Sequence, residues 1–239
     1  MPDPGAFLSD KEQLLQAAEA HAEAGALSEA ISVFQEAWES DPTDPDIQMN
    51  LASLHEQNED MESAANSWDT ASRLYESQGL FSEALETQKK IMGARSGNIL
   101  DLEKLANLHC QLDQVQEAVT ALRGAAAISR EEEDSPKRLE LIEKILDLDS
   151  ENLRGRIRYA ECLAETGQPV EAAALLKSIS FQLEQQEMWE PFEKTALRSI
   201  YLNPNDPEIC TSLARYYLNT EQAPGALKAI RRGYENNQD

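Results

Sequence analysis

Apolar residues recur along this chain at helical spacing. Leu51, Leu54 and His55 form one stripe, and Leu102, Leu105, Ala106 and His109 form another. Residues three and four apart share one face of a helix. No stretch shows the alternation bounded by turns that marks a half-buried strand. The breakers fall between the stripes. Pro42, Pro45, Pro136, Pro191, Pro204 and Pro207 stand at proposed helix ends or first turns, where a missing N–H costs least. Beside them Asp41, Asp44, Asp134, Ser135, Asn203 and Asp206 offer capping oxygens. The pattern predicts an all-α chain of about thirteen helices.

The pattern also repeats. Residues 45–98, 99–152 and 153–206 are three blocks of 54 residues that align without gaps. Residues 207–239 begin a fourth copy, and 11–44 match the end of a preceding one. Each block holds two overlapping registers of 34 residues, the second beginning 20 residues after the first. At the eighth register position stand Ala18, Ala52, Ser72, Ala106, Ala126, Ala160, Ser180 and Ala214, all small. At the twentieth stand Ala30, Ala64, Ala84, Ala118, Arg138, Ala172, Phe192 and Ala226. Small residues at two fixed places have a steric cause, because antiparallel helices approach closely only where side chains are short. The registers starting at 119 and 173 depart most, with Arg138 and Phe192 in place of alanine. The blocks run in a single phase, so the expected organisation is a flexible segment over 1–10 and one array over 11–239. Each block should hold three helices, the middle one closing one hairpin and opening the next.

This pattern resembles the tetratricopeptide repeat. Gly25, Gly79 and Gly167 fall at position 15, bulky Phe34, Trp68, Leu122, Ile142, Leu176 and Ile230 at position 24, small Ala37, Ala71 and Ala125 at position 27, and Pro42 and Pro204 at position 32. The resemblance implies a helical solenoid wound as a right-handed superhelix. It also implies a scaffold that binds proteins or peptides and catalyses nothing.

Composition narrows the partners. Lys and Arg number 21 against 44 Asp and Glu, a formal net charge of −23. A chain so acidic repels nucleic acid and anionic lipid unless it carries a local basic patch. Cys110, Cys162 and Cys210 are too few and too scattered for a disulfide framework, and each reads as a small buried apolar residue. The amino terminus has neither the basic start nor the apolar stretch of a secretory signal. No run of about 18 apolar residues could span a bilayer. A cytoplasmic setting is expected.

Chemistry is sparse. His21, His55 and His109 all fall at register position 11, which points to packing and leaves them too far apart to share a metal. The run Glu131, Glu132, Glu133 and Asp134 before Pro136 reads as a solvated helix end. No glycine-rich phosphate loop, HExxH or GxSxG occurs. No cofactor and no enzymatic activity are expected.

The expected contact surface lies on the first helix of each unshared register. Position 5 holds Leu15, Met49, Glu103, Ile157 and Thr211, and position 9 holds Glu19, Ser53, Asn107, Glu161 and Arg215. The family's carboxylate clamp needs Lys at the first and Asn at the second, and only Asn107 matches. Glu12, Glu56 and the basic Arg154 complete the candidate set, with Arg154 and Arg158 on one helix face. Acids interspersed with Leu15, Met49 and Ile157 suit a basic or amphipathic protein segment. The alternative is a self-assembling structural subunit that oligomerises through its array ends, with support at the C-terminal helix, where residues 226–234 carry Leu227, Ile230 and Tyr234.

Overall fold

The computed structural model describes residues 10–235, apart from Ser96, Asn205 and the side chains of 232–235. Tyr234 and the proposed flexible segment thus lie outside the described side chains, except for Asp10, which opens the first helix. Among the described residues there are thirteen α-helices and no strand. They are α1 (Asp10–Glu23), α2 (Leu27–Ser40), α3 (Pro45–Gln57), α4 (Met61–Ser77), α5 (Phe81–Ala94), α6 (Ile99–Gln111), α7 (Val115–Glu131), α8 (Ser135–Leu148), α9 (Leu153–Glu165), α10 (Pro169–Gln185), α11 (Trp189–Leu202), α12 (Pro207–Asn219) and α13 (Ala223–Glu235). The starts of α3, α6, α9 and α12 fall 54 residues apart, and so do those of α4, α7, α10 and α13.

Two kinds of junction make this period. Eight helices end on a residue with positive φ, namely Gly25, Glu59, Gly79, Asp113, Glu133, Gly167, Glu187 and Glu221. Each donates its N–H back three residues, and the next residue donates back five, as in Glu59 to Glu56 (3.0 Å) and Asp60 to His55 (2.9 Å). This is the Schellman ending, which satisfies carbonyls left open by the last turn. The remaining junctions are four residues long and end on polar caps or first-turn prolines. Asp44, Asp60, Asn98, Asp134, Asn152 and Asp206 accept backbone N–H bonds at the starts of α3, α4, α6, α8, α9 and α12. Of the caps read from sequence, Asp41 and Asn203 instead close α2 and α11. Such short junctions place consecutive helices side by side as hairpins.

Packing divides the chain into two compact units, 1–121 and 122–239. In the first, Ala18, Ala30, Phe34, Ala37, Ile47 and Leu51 build one buried cluster. Ala52, Ala64, Trp68 and Ile91 build another. Lys11 reaches Asp41 (2.7 Å) and Asp44 (2.5 Å), tying α1 to the turn before α3. In the second unit a cluster from Ile179 to Ala229 is built around Phe192, Ile200, Ile209 and Leu213. There Phe192 is completely buried, so the bulky residue at a small-residue position is absorbed as core.

The small positions are buried almost throughout. Ala52, Ala64, Ala84, Ala118, Ala160 and Ala172 are all 0 % exposed. The departure is the register that begins at 119, where Ala126 and Arg138 are both half-buried.

Candidate partner-binding site

At that departure lies a cavity of about 520 Å³, contained within the second unit. Helix α7 contributes Arg123, Ala126, Ala127 and Arg130. Helix α8 contributes Arg138, Ile142 and Ile145, and α9 contributes Arg154, Gly155, Arg158, Glu161, Cys162 and Glu165. The cause is local. Six of the eight registers have alanine at this position and a seventh buries Phe192 there, but a guanidinium cannot be buried without partners. Arg138 turns aside instead, pairs with Glu165, and donates from Nε to Cys162 Sγ at 2.9 Å. Ala126 is left lining open space.

The electrostatics are the reverse of the chain's average. Five arginines face two glutamates, a local excess of three positive charges in a chain of −23. Arg158 is held by Glu161 at 3.2 Å. Arg123, Arg130 and Arg154 are exposed. The floor is apolar, with Ile142 and Ile145 each 4 % exposed. Such a surface can hold a segment with an apolar anchor and charged flanks.

The residues expected from sequence are divided between the two units. Glu12, Leu15, Glu19, Met49, Ser53, Glu56, Glu103 and Asn107 belong to the first unit, and Arg154, Ile157, Glu161 and Arg215 to the second. Only Arg154 and Glu161 share the large cavity. Arg215 lines a separate cavity of about 390 Å³ beside Phe181, Glu184 and Glu208. Leu15, Met49 and Ile157 are half-buried and pack against hydrophobic clusters, and Met49 also lines a cavity of about 400 Å³ beside Tyr75, Glu83 and Lys90. Arg156 departs from its neighbours and donates to Gln182 Oε1 at 2.7 Å. Sequence reasoning passed over Arg123, Arg130 and Arg138. Their signals were the seven-residue spacing on α7 and the break in the alanine pattern.

The other chemistry-bearing residues have mostly structural roles. His109 is buried with Nδ1 2.7 Å from Gln114 Oε1. His55 lies 3.9 Å from Asp60. His21 is exposed, so the packing expectation fails for it on α1. Cys162 and Cys210 are buried. Cys110 is only half-buried, and burial pushes its thiol up from the ordinary value. Among the described residues, no group of three or more His, Cys, Asp or Glu could hold a metal ion. No described helix is long and apolar enough to cross a membrane.

Comparison with known proteins adds the following. The family model for the tetratricopeptide repeat matches residues 21–71 and 139–190. No curated protein matches the chain. Among solved structures, a Podosopora anserina putative kinesin light chain with nearly identical TPR-like repeats is 18 % identical, with full coverage of both chains and a TM-score of 0.33. The P58(IPK) TPR domain is 15 % identical over 96 % of this chain and 95 % of that one, at a TM-score of 0.28. YrrB, described as a TPR protein with an unusual peptide-binding site, is 15 % identical over 96 % and 88 %, at 0.23. At TM-scores this low the likeness carries no weight.

Proposed function

Since the chain is a tetratricopeptide repeat protein, we propose that it is an interaction scaffold whose second unit receives a protein segment between α7, α8 and α9. Binding, not catalysis, is the activity. The tetratricopeptide fold is an interaction scaffold in general, and repeat stacking leaves recessed surfaces. The observation that carries the choice of site is the cavity of about 520 Å³, with an apolar floor and charged walls. Pockets that bind selectively combine these two features. Three cysteines without a disulfide among them fit a reducing cytoplasm, which this reading takes as the setting.

The test is a selection followed by mapping. A random peptide library is displayed against the purified chain, with a photo-crosslinking residue in place of exposed Ala127. Selected peptides should crosslink there and should not crosslink when the same group replaces Asn107 on α6. Selection without crosslinking at Ala127 refutes the site.

A second reading has its own observation. Leu218, Leu227 and Ile230 are exposed at 58 %, 68 % and 40 % on α12 and α13, which favours association of copies through the C-terminal helix. Sedimentation at tens of micromolar decides it, and a monomer refutes it.

A further inference from the structure

The inference that follows rests on the reading above, that the α7–α9 cleft receives a protein segment. We propose that this segment is acidic, carrying side-chain carboxylates on both sides of an apolar residue. The observation behind it is where the unpaired cations are. Elsewhere the chain's basic groups are mostly spoken for. Lys11 pairs with Asp41 and Asp44, Arg73 and Lys104 with Asp69, Arg95 with Asp101, and Lys177 with Asp206 and Glu208. With 44 acidic residues available, pairing is the ordinary outcome. Among the described residues, Lys90, Arg156, Arg198, Arg215 and Lys228 also lack an ion pair but stand on five different helices, whereas Arg123, Arg130 and Arg154, which have none either, all line this one cleft.

Their chemistry selects the ligand. A guanidinium presents a planar fork of donors that meets a carboxylate in two parallel hydrogen bonds. Arg138 and Arg158 are already held by Glu165 and Glu161, which fixes part of the wall before a ligand arrives. The apolar floor at Ile142 and Ile145 takes the anchor residue. A basic segment would meet five arginines and be repelled. A nucleic acid would set its phosphates against the acidic surface of the rest of the chain, and lowering of affinity follows.

The test uses the full chain and two fluorescein-labelled probes, a short peptide alternating Glu with Leu and one alternating Lys with Leu. Anisotropy titrations are run at about 0.15 M salt, where the Debye length of ~8 Å leaves mainly local charges in play. The Glu–Leu probe should bind and the Lys–Leu probe should not. Combined Arg123→Glu and Arg154→Glu should weaken the Glu–Leu probe by at least about tenfold, because like charges across an interface are strongly disfavoured. Arg198→Glu, an exposed position outside the cleft, makes the same kind of charge change and should alter affinity less than about twofold by the same principle. Glu161→Gln should tighten binding. Far-ultraviolet melting of each variant checks folding, and Arg130→Gln, which only removes a charge, supplies a milder variant. Tighter binding of the Lys–Leu probe, or indifference to the arginine reversals, overturns the proposal. So does equal competition by citrate, which would make the cleft a small-acid site, or by a single-stranded oligonucleotide. If peptides crosslink at Ala127 whatever their charge, the scaffold reading stands and the acidic inference falls. If none crosslinks, the scaffold site itself is wrong.

Discussion

Five residues carry a backbone strain that their side chains do not explain. Glu59, Asp113, Glu133, Glu187 and Glu221 hold φ between 56° and 59°, the left-handed region that glycine occupies at the same position in Gly25, Gly79 and Gly167. A non-glycine residue there costs roughly 1–2 kcal/mol. Glu187→Gly should therefore stabilise the chain by ~0.5–1 kcal/mol once glycine's greater unfolded entropy is subtracted. Conversely Gly79→Ala should destabilise it by about 1 kcal/mol, and by backbone strain alone, since an added Cβ meets nothing within 4 Å. Urea midpoints read both, and an unmoved midpoint for either variant contradicts the cause. Titration offers a second residue-level test. Tyr217 donates to Glu193 Oε1 at 2.7 Å, and burial followed by that bond pushes its phenol up to about 12. The folded state thus keeps a proton that the unfolded chain releases near pH 10. Stability is present below that value and falls as pH rises from about 10 through about 12. Tyr217→Phe should flatten this part of the pH–stability curve, and an unchanged slope would count against it.

At the scale of the helix pair, small residues set how closely neighbours approach. Ala160 is 0 % exposed at its crossing, and interiors packed this closely resist added methylenes. Ala160→Leu should cost ~1–3 kcal/mol. Ala126 occupies the same register position but lines the cavity, so Ala126→Leu should cost much less and should block probe binding by filling the cleft. Equal losses of melting temperature in the two variants would show that the Arg138 register is packed like the rest. The contrast with Phe192 is instructive. Both break the alanine pattern, yet an apolar ring can be buried in the cluster of Ile200 and Leu213, whereas a guanidinium must find partners and does so at Glu165 and Cys162.

Over the whole molecule, net charge and local charge oppose each other. The chain carries −23 while the cleft carries an excess of three positive charges. At about 0.01 M salt the Debye length is ~30 Å and an approaching ligand feels the whole chain; at about 0.15 M it is ~8 Å and the ligand feels mainly the cleft. The association rate of an acidic peptide should therefore rise across this interval. A cationic ligand steered by the acids should associate more slowly over the same interval. Stopped-flow measurement of the Glu–Leu probe distinguishes the two, and a monotonic fall in its rate contradicts the opposition of fields.

Much of this protein was legible in the chain. Prolines, caps and helical spacing are local signals, and the 54-residue period repeats them until chance is excluded, so thirteen helices and the buried alanines at 52, 106 and 160 could be read directly. The left-handed turns at Glu59 and Glu187 could not, because glutamate has no local preference for that conformation; the Schellman geometry imposes it. Nor could the α7–α9 cleft. Period alone does not say which face meets the next hairpin, and the structure shows Leu15, Met49 and Ile157 half-buried against hydrophobic clusters. Arg123, Arg138 and Arg154 stand on three different helices, and only folding brings them to one cavity. Arg138 at a small-residue position was visible as an irregularity, but its consequence, an opened crossing lined by arginines, depends on what the displaced side chain finds to bond, and that is a property of the tertiary structure.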